Sequence, residues 1–148
     1  MSNNDIVKNR FNVGMVDNFE KYLINNKPFV VNTDVSSGFG IHYIVLCKLD
    51  NNCYICDSLG KNNYRPYDNI MLKTIKNNGL NCIWYPFKFQ VKTSVKCGWW
   101  SIFVCKLIQN LQNKSPQNIT ENIKKFVGKT AEISDENVLI KFFGCHKL

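Results

Sequence analysis

The sequence predicts an α+β fold: a small sheet with helices packed on it and one nearly all-apolar helix at its centre. Three observations carry that prediction. Residues 98–112 are predominantly apolar, so this helix is buried on most sides. Residues 41–49 and 53–57 are strand-like runs joined by Asp50-Asn51-Asn52, a hairpin signal. Residues 67–77 place Ile70, Met71, Thr74 and Ile75 at core spacing on a helix, and Asn78-Gly79 closes it.

The remaining elements follow in order. Residues 18–26 alternate in a helical manner, with Phe19, Tyr22 and Leu23 on one face, and Asn25-Asn26-Lys27-Pro28 ends them. Residues 29–32 read as a short strand. Residues 34–40 form a Ser/Gly-rich loop, flexible enough to sit over a cleft. Residues 58–66 are loop, 81–87 a further strand, and 88–96 the approach to the central helix. Ser115-Pro116 is a cap followed by a first-turn proline, and it opens a helix through Phe126. Ser134-Asp135-Glu136 starts a last short helix that Gly144 stops. Internal repeats, linkers and low-complexity tracts are absent.

A chain of 148 residues reads as a single domain, 1–148, long enough to bury a core. Its 45% hydrophobic and 20% charged content is that of a soluble globular protein. No run of eighteen apolar residues is present to span a membrane, and Met1-Ser2-Asn3-Asn4-Asp5 lacks a signal peptide's apolar core. The expectation is a soluble monomer that stays inside the cell, away from membranes. Seven cysteines without an export signal then read as reduced thiols. Cys53 and Cys56 have metal-like spacing, but three positions along a strand point to opposite faces, so no metal is expected. Cys47, Cys82 and Cys105 sit among apolar neighbours and read as small core residues. The net charge of +8 comes from scattered lysines without a dense block. It serves either solubility or non-specific binding to a polyanion.

The chemistry is concentrated at Cys97. It lies in Ser94-Val95-Lys96-Cys97-Gly98-Trp99-Trp100, where a polar turn enters the apolar helix. A thiol there meets unpaired N–H groups and the positive end of the helix dipole, which stabilise its thiolate. Upstream, Gly40-Ile41-His42-Tyr43-Ile44-Val45-Leu46 sets a histidine in a strand-like run. Cys53-Tyr54-Ile55-Cys56-Asp57-Ser58-Leu59-Gly60 sets an acid at a strand end, and Gln90 precedes Cys97 by seven residues. Taken singly, these are a structural histidine, a turn aspartate, an uninformative glutamine and a core cysteine. Together, histidine, acid, glutamine and cysteine complete the inventory of a thiol hydrolase. Trp99 and Trp100 read as core, with one of them a candidate wall of a substrate cleft. A rival arrangement pairs Cys97 with His146, which lies two residues from the chain end and lacks a strand context. Asp34 could replace Asp57 as the acid, but its Ser/Gly loop is a poor rigid support.

These residues resemble the adenovirus-type maturation proteases, a branch of the clan that includes the SUMO-specific proteases. The resemblance is carried by Val31-Asn32-Thr33, by Gly40-Ile41-His42-Tyr43, and by the strand ending in Asp57 and then Ser58-Leu59-Gly60. Gln90, the spacer to Cys97-Gly98, and Phe103-Val104-Cys105 continue it. It covers roughly residues 29–111. Two departures stand out: Tyr43 where Trp is usual, and Asp57, as in the SUMO-specific proteases, where adenoviral members often have Glu. The resemblance implies a papain-like core with the order His-Asp-Gln-Cys. His42 would be the general base, Asp57 its orienting acid, Gln90 an oxyanion donor and Cys97 the nucleophile. It implies a viral cysteine endopeptidase that cuts capsid or virion precursors at glycine-containing sites, acting in the virion and in the host cytoplasm or virus factory. The chemistry needs no cofactor, while DNA or a peptide stays open as an activator, since adenoviral relatives use DNA. Two alternatives remain: a protease removing ubiquitin-like modifiers, and a non-catalytic, basic nucleic-acid-binding module.

Overall fold

One mixed sheet runs in the order β1-β2-β3-β4-β5, with β1 Val13–Met15, β2 Phe29–Asn32, β3 Tyr43–Leu49, β4 Asn52–Cys56 and β5 Asn81–Trp84. The computed structural model describes residues 11–34, 37–38, 42–60, 68–90 and 97–127. The helices among them are α1 Asp68–Asn77, α2 Cys97–Asn110 and α3 Pro116–Val127. β2, β3 and β4 pair antiparallel, while β1 joins β2 and β5 joins β4 in parallel. A parallel neighbour needs a crossover, and α1 supplies it between β4 and β5.

The central strands are nearly continuous apolar runs because both sheet faces are covered. Alternate residues sort cleanly. Val30, Tyr43, Val45, Cys47, Tyr54 and Cys56 pack against Trp100, Phe103, Val104 and Ile108 of α2, and Ile119 and Ile123 of α3 belong to the same cluster. Phe29, Val31, Ile44, Leu46, Cys53 and Ile55 pack on the other side against Met71 and Ile75 of α1 and against Val16 and Phe19. Cys53 and Cys56 thus lie on opposite faces, as their spacing predicts. Tyr54 reaches through the first layer to Thr120 of α3, Oη to Oγ1 3.2 Å.

The β3–β4 hairpin turns as predicted, through Asp50 and Asn51. Asp50 takes a left-handed φ of 56°, and Asn25 braces it by accepting from its backbone N–H at 2.7 Å. Ser115 caps α3 as expected, its Oγ accepting from Asn118 N–H at 3.2 Å. Lys114 Nζ donates to the Leu111 carbonyl at 2.8 Å and satisfies the end of α2.

Four expectations are corrected. The helix over residues 18–26 is a single 3-10 turn, Glu20–Tyr22. Asn26 adopts φ 63°, and its N–H donates to Lys48 of β3 at 2.9 Å, a tertiary bond that replaces a helical one. β1 was not expected, because three residues with a central glycine carry no periodic signal. Gly14 is required there, since a Cβ would run into the Cβ of Phe19. The strand over residues 81–87 stops at Trp84, and Pro86 has no N–H to extend the ladder. Ile70 is 41% exposed rather than core. The helix expected from Ser134, together with Cys145 and His146, lies outside the described residues.

Candidate active site

The hairpin register brings a histidine and an acid together from fifteen residues apart. Val45 lies beside Cys56, so the start of β3 adjoins the end of β4. His42 sits just before β3 and Asp57 just after β4. His42 Nε2–H donates to Asp57 Oδ1 at 2.8 Å. That bond assigns the ring's roles: with Nε2 held by the acid, Nδ1 is the nitrogen left to address a third group. Both side chains are buried, which strengthens the contact.

The third group is Cys97, the first residue of α2. Burial alone would push its thiol pKa up. The hydrogen bond and charge of His42, with the backbone N–H groups of Tyr43 and Gly98, outweigh burial and hold it below the ordinary thiol value. The Gly98 contribution is the helix N-terminus acting on a thiolate. His42 shows the mirror image. Burial lowers its pKa, but hydrogen bonds with Asp57 and Cys97 and the charges of both carry it above its usual 6.5. Both shifts favour a thiolate–imidazolium pair. No other described cysteine is shifted this way. Burial pushes Cys47 and Cys53 up to about 12 and raises Cys56 and Cys105 well above the ordinary thiol value. Half-buried Cys82 is raised too.

Gln90 joins through the turn after β4. Gly60 N–H donates to the Asp57 carbonyl at 2.9 Å, and Leu59 N–H donates to Asp57 Oδ1 at 2.9 Å. Gly60 has φ +94°, and a Cβ there would lie 3.1 Å from the Lys88 Cβ, so the turn calls for glycine. The Ser58 carbonyl accepts from the N–H groups of Phe89 and Gln90 at 3.0 and 2.8 Å. Ser58 Oγ–H donates to Gln90 Oε1. Phe89 in turn packs edge-on against Trp100, ring centroids 5.0 Å apart. Trp100 lies one turn into α2 from Cys97, so this ring pair ties the glutamine segment to the start of the cysteine's helix.

The structure therefore joins Cys97, His42 and Asp57 directly and brings Gln90 to the same corner through Ser58. Asp57 is the acid bonded to the ring; Asp34 instead belongs to the turn after β2, its N–H donating to Asn32 Oδ1 at 2.9 Å. Trp100 is core and Trp99 half-buried. Three contributors were not singled out in the sequence: the Tyr43 N–H, Phe89 and the hydroxyl of Ser58. An Asp-Ser pair after a strand signals a turn, but nothing in it points to a partner 32 residues away.

No protein-family model and no curated protein matches the sequence. Among solved structures, the chain is similar to the crystal structure of the selenomethionine ASFV pS273R protease, at 20% identity and a TM-score of 0.43. The match covers 76% of this chain and 40% of that one, so the chain spans less than half of the protease it matches. The chemistry therefore rests on this chain's own side chains.

Proposed function

We propose that this chain is a viral cysteine endopeptidase that cleaves capsid or other virion precursor proteins at glycine-containing sites. The observation that supports the chemistry best is the buried series Cys97, His42, Asp57, with the thiol lowered and the imidazole raised. In the reaction the Cys97 thiolate attacks the peptide carbonyl carbon. A sulfur–carbon bond forms and the C=O electron pair moves onto oxygen. The Gln90 amide N–H and a backbone N–H near Cys97 hold that oxyanion, each such donor lowering the barrier by roughly 3 kcal/mol. Collapse breaks the C–N bond, and the imidazolium of His42 gives the leaving nitrogen its proton from Nδ1. Water then attacks the thioester carbon while His42 takes its proton, and collapse breaks the carbon–sulfur bond, returning the Cys97 thiolate and releasing the acid product. Asp57 keeps Nε2–H in place throughout and stabilises the imidazolium.

The viral and maturation parts of the proposal rest on the motif resemblance around His42, Asp57, Gln90 and Cys97. The test has two stages. One equivalent of iodoacetamide at neutral pH should label Cys97 and abolish peptide hydrolysis. Equal labelling of several cysteines, or hydrolysis retained by Cys97→Ala, would rule out the chemistry. Mass spectrometry of virion proteins from particles made with the wild-type chain and with Cys97→Ala should then show uncut precursors only in the variant. Identical protein sets would remove the maturation role while leaving the chemistry standing.

A further inference from the structure

We propose that Ser58 is a positioning residue for the oxyanion site: its hydroxyl holds the oxygen of the Gln90 amide, so that the NH₂ end is the one presented to the reacting carbonyl. The proposal rests on the cysteine-peptidase reading and deepens it.

A glutamine amide has an acceptor end and a donor end of nearly the same shape. Only the donor end stabilises an oxyanion; the acceptor end would repel it. Something must therefore distinguish the two orientations, and Ser58 does so by donating to Oε1. Both residues are buried, Ser58 at 5% and Gln90 at 2% exposure, so water does not compete freely for the amide. The backbone is fixed as well, because the Ser58 carbonyl accepts from the N–H groups of Phe89 and Gln90. Ser58 also follows Asp57 directly. The same turn therefore sets the acid that orients His42 and the hydroxyl that orients Gln90. Preorganised donors act without reorganising as charge develops, and losing that preorganisation lowers the rate of carbonyl attack.

Two electrophiles separate this role from a general structural one. Iodoacetamide reacts by displacement at a saturated carbon: sulfur bonds to the CH₂, iodide leaves, and no oxyanion forms. p-Nitrophenyl acetate reacts at a carbonyl: sulfur bonds to carbon, the electron pair moves to oxygen, and collapse expels p-nitrophenolate. Rates of both reactions at Cys97 are measured in the full chain, with labelling located by peptide mass. Ser58→Ala should slow acylation about tenfold or more, and Gln90→Ala about 10²-fold, while both leave alkylation at the wild-type rate. The double variant should acylate no more slowly than Gln90→Ala alone, because Ser58 acts through Gln90. Gln90→Glu keeps an oxygen for Ser58 but loses the N–H, so it should acylate as slowly as Gln90→Ala, and it tests the need for the donor end even where Ser58→Ala does not fold. The proposal is overturned by normal acylation in Ser58→Ala or in Gln90→Glu. It is equally overturned by parallel loss of both reactions in Ser58→Ala, or by losses that multiply in the double variant. A wild-type Cys97 that is alkylated but never acylated would instead sink the peptidase reading, and this proposal with it.

Discussion

The imidazole of His42 faces an acid on one nitrogen and a thiol on the other, and the two contacts have different consequences when removed. In the proposed mechanism, His42→Ala takes away the acid that protonates the leaving amine and the base that activates water. Turnover should vanish in a steady-state peptide assay, and Cys97 alkylation should shift to higher pH as the thiol loses its lowering partner. Asp57→Asn removes orientation and charge but leaves the ring, so it should retain more activity than His42→Ala. The sign of the pH dependence follows from the same pair. Cys97 is lowered, so its thiolate persists to pH values below the reference thiol pKa of about 8.5. The alkylation rate should persist below the ordinary thiol range and fall as pH drops through the lowered Cys97 value. His42 is raised above 6.5, so the proton that the proposed mechanism passes to the leaving group persists above the ordinary imidazole range and is lost as pH rises through that raised value. Hydrolysis should therefore follow a bell whose acid limb belongs to the thiol and whose alkaline limb belongs to the imidazole. An acid limb at the ordinary thiol range would contradict the ion pair.

At the scale of elements, the site is held where a hairpin end, a turn and a helix start converge. The turn at Asp57–Gly60 is anchored by hydrogen bonds, whereas the start of α2 is anchored by packing. Trp100 is fully buried and meets both Phe89 and Phe103 edge-on, with centroids 5.0 and 5.6 Å apart. Trp100→Ala should cost about 3–5 kcal/mol of stability, as large-to-small core changes do. Urea denaturation should show a lower midpoint with an unchanged slope. Half-buried Trp99 should tolerate alanine with a smaller loss, and an equal loss would show that the helix start is clamped by both rings. These packing roles follow from sequence only in part. The apolar run after Cys97 predicts a buried helix, but not that its first turn meets Phe89. The residue range 18–26 shows the opposite failure: a helical pattern is overridden because Asn26 bonds to β3.

For the whole molecule, the +8 charge remains the largest feature that the active-site chemistry leaves unused. We propose that it supports sequence-independent binding to double-stranded DNA, which would confine the enzyme to a packaged genome near its substrates. Lys124 and Lys125 lie exposed in the last turn of α3, with Lys124 Nζ 4.3 Å from the centroid of the Phe87 ring. The variant with Lys124→Glu and Lys125→Glu should bind DNA more weakly in a gel shift while cleaving a small peptide normally. Wild-type affinity should fall steeply with added salt, because binding releases counterions. Absence of a shift at about 50 mM salt, where electrostatic binding is strong, would leave the lysines to solubility.

Sequence alone determined the parts of this protein that depend on local pattern. Strand-like apolar runs imply a small sheet with helices packed on it, Asp50-Asn51-Asn52 implies the hairpin, Ser115-Pro116 implies a helix start, and the order His42, Asp57, Gln90, Cys97 points to the proposed chemistry. Tertiary structure decided what depends on contacts between distant segments. It chose Asp57 as the acid on His42, because only the β3–β4 register brings that carboxylate within 2.8 Å of Nε2. It added β1, whose three residues become a strand only against β2. It also coupled Ser58 to Gln90, since a buried hydroxyl bonds to whatever acceptor the fold places beside it, at any separation along the chain.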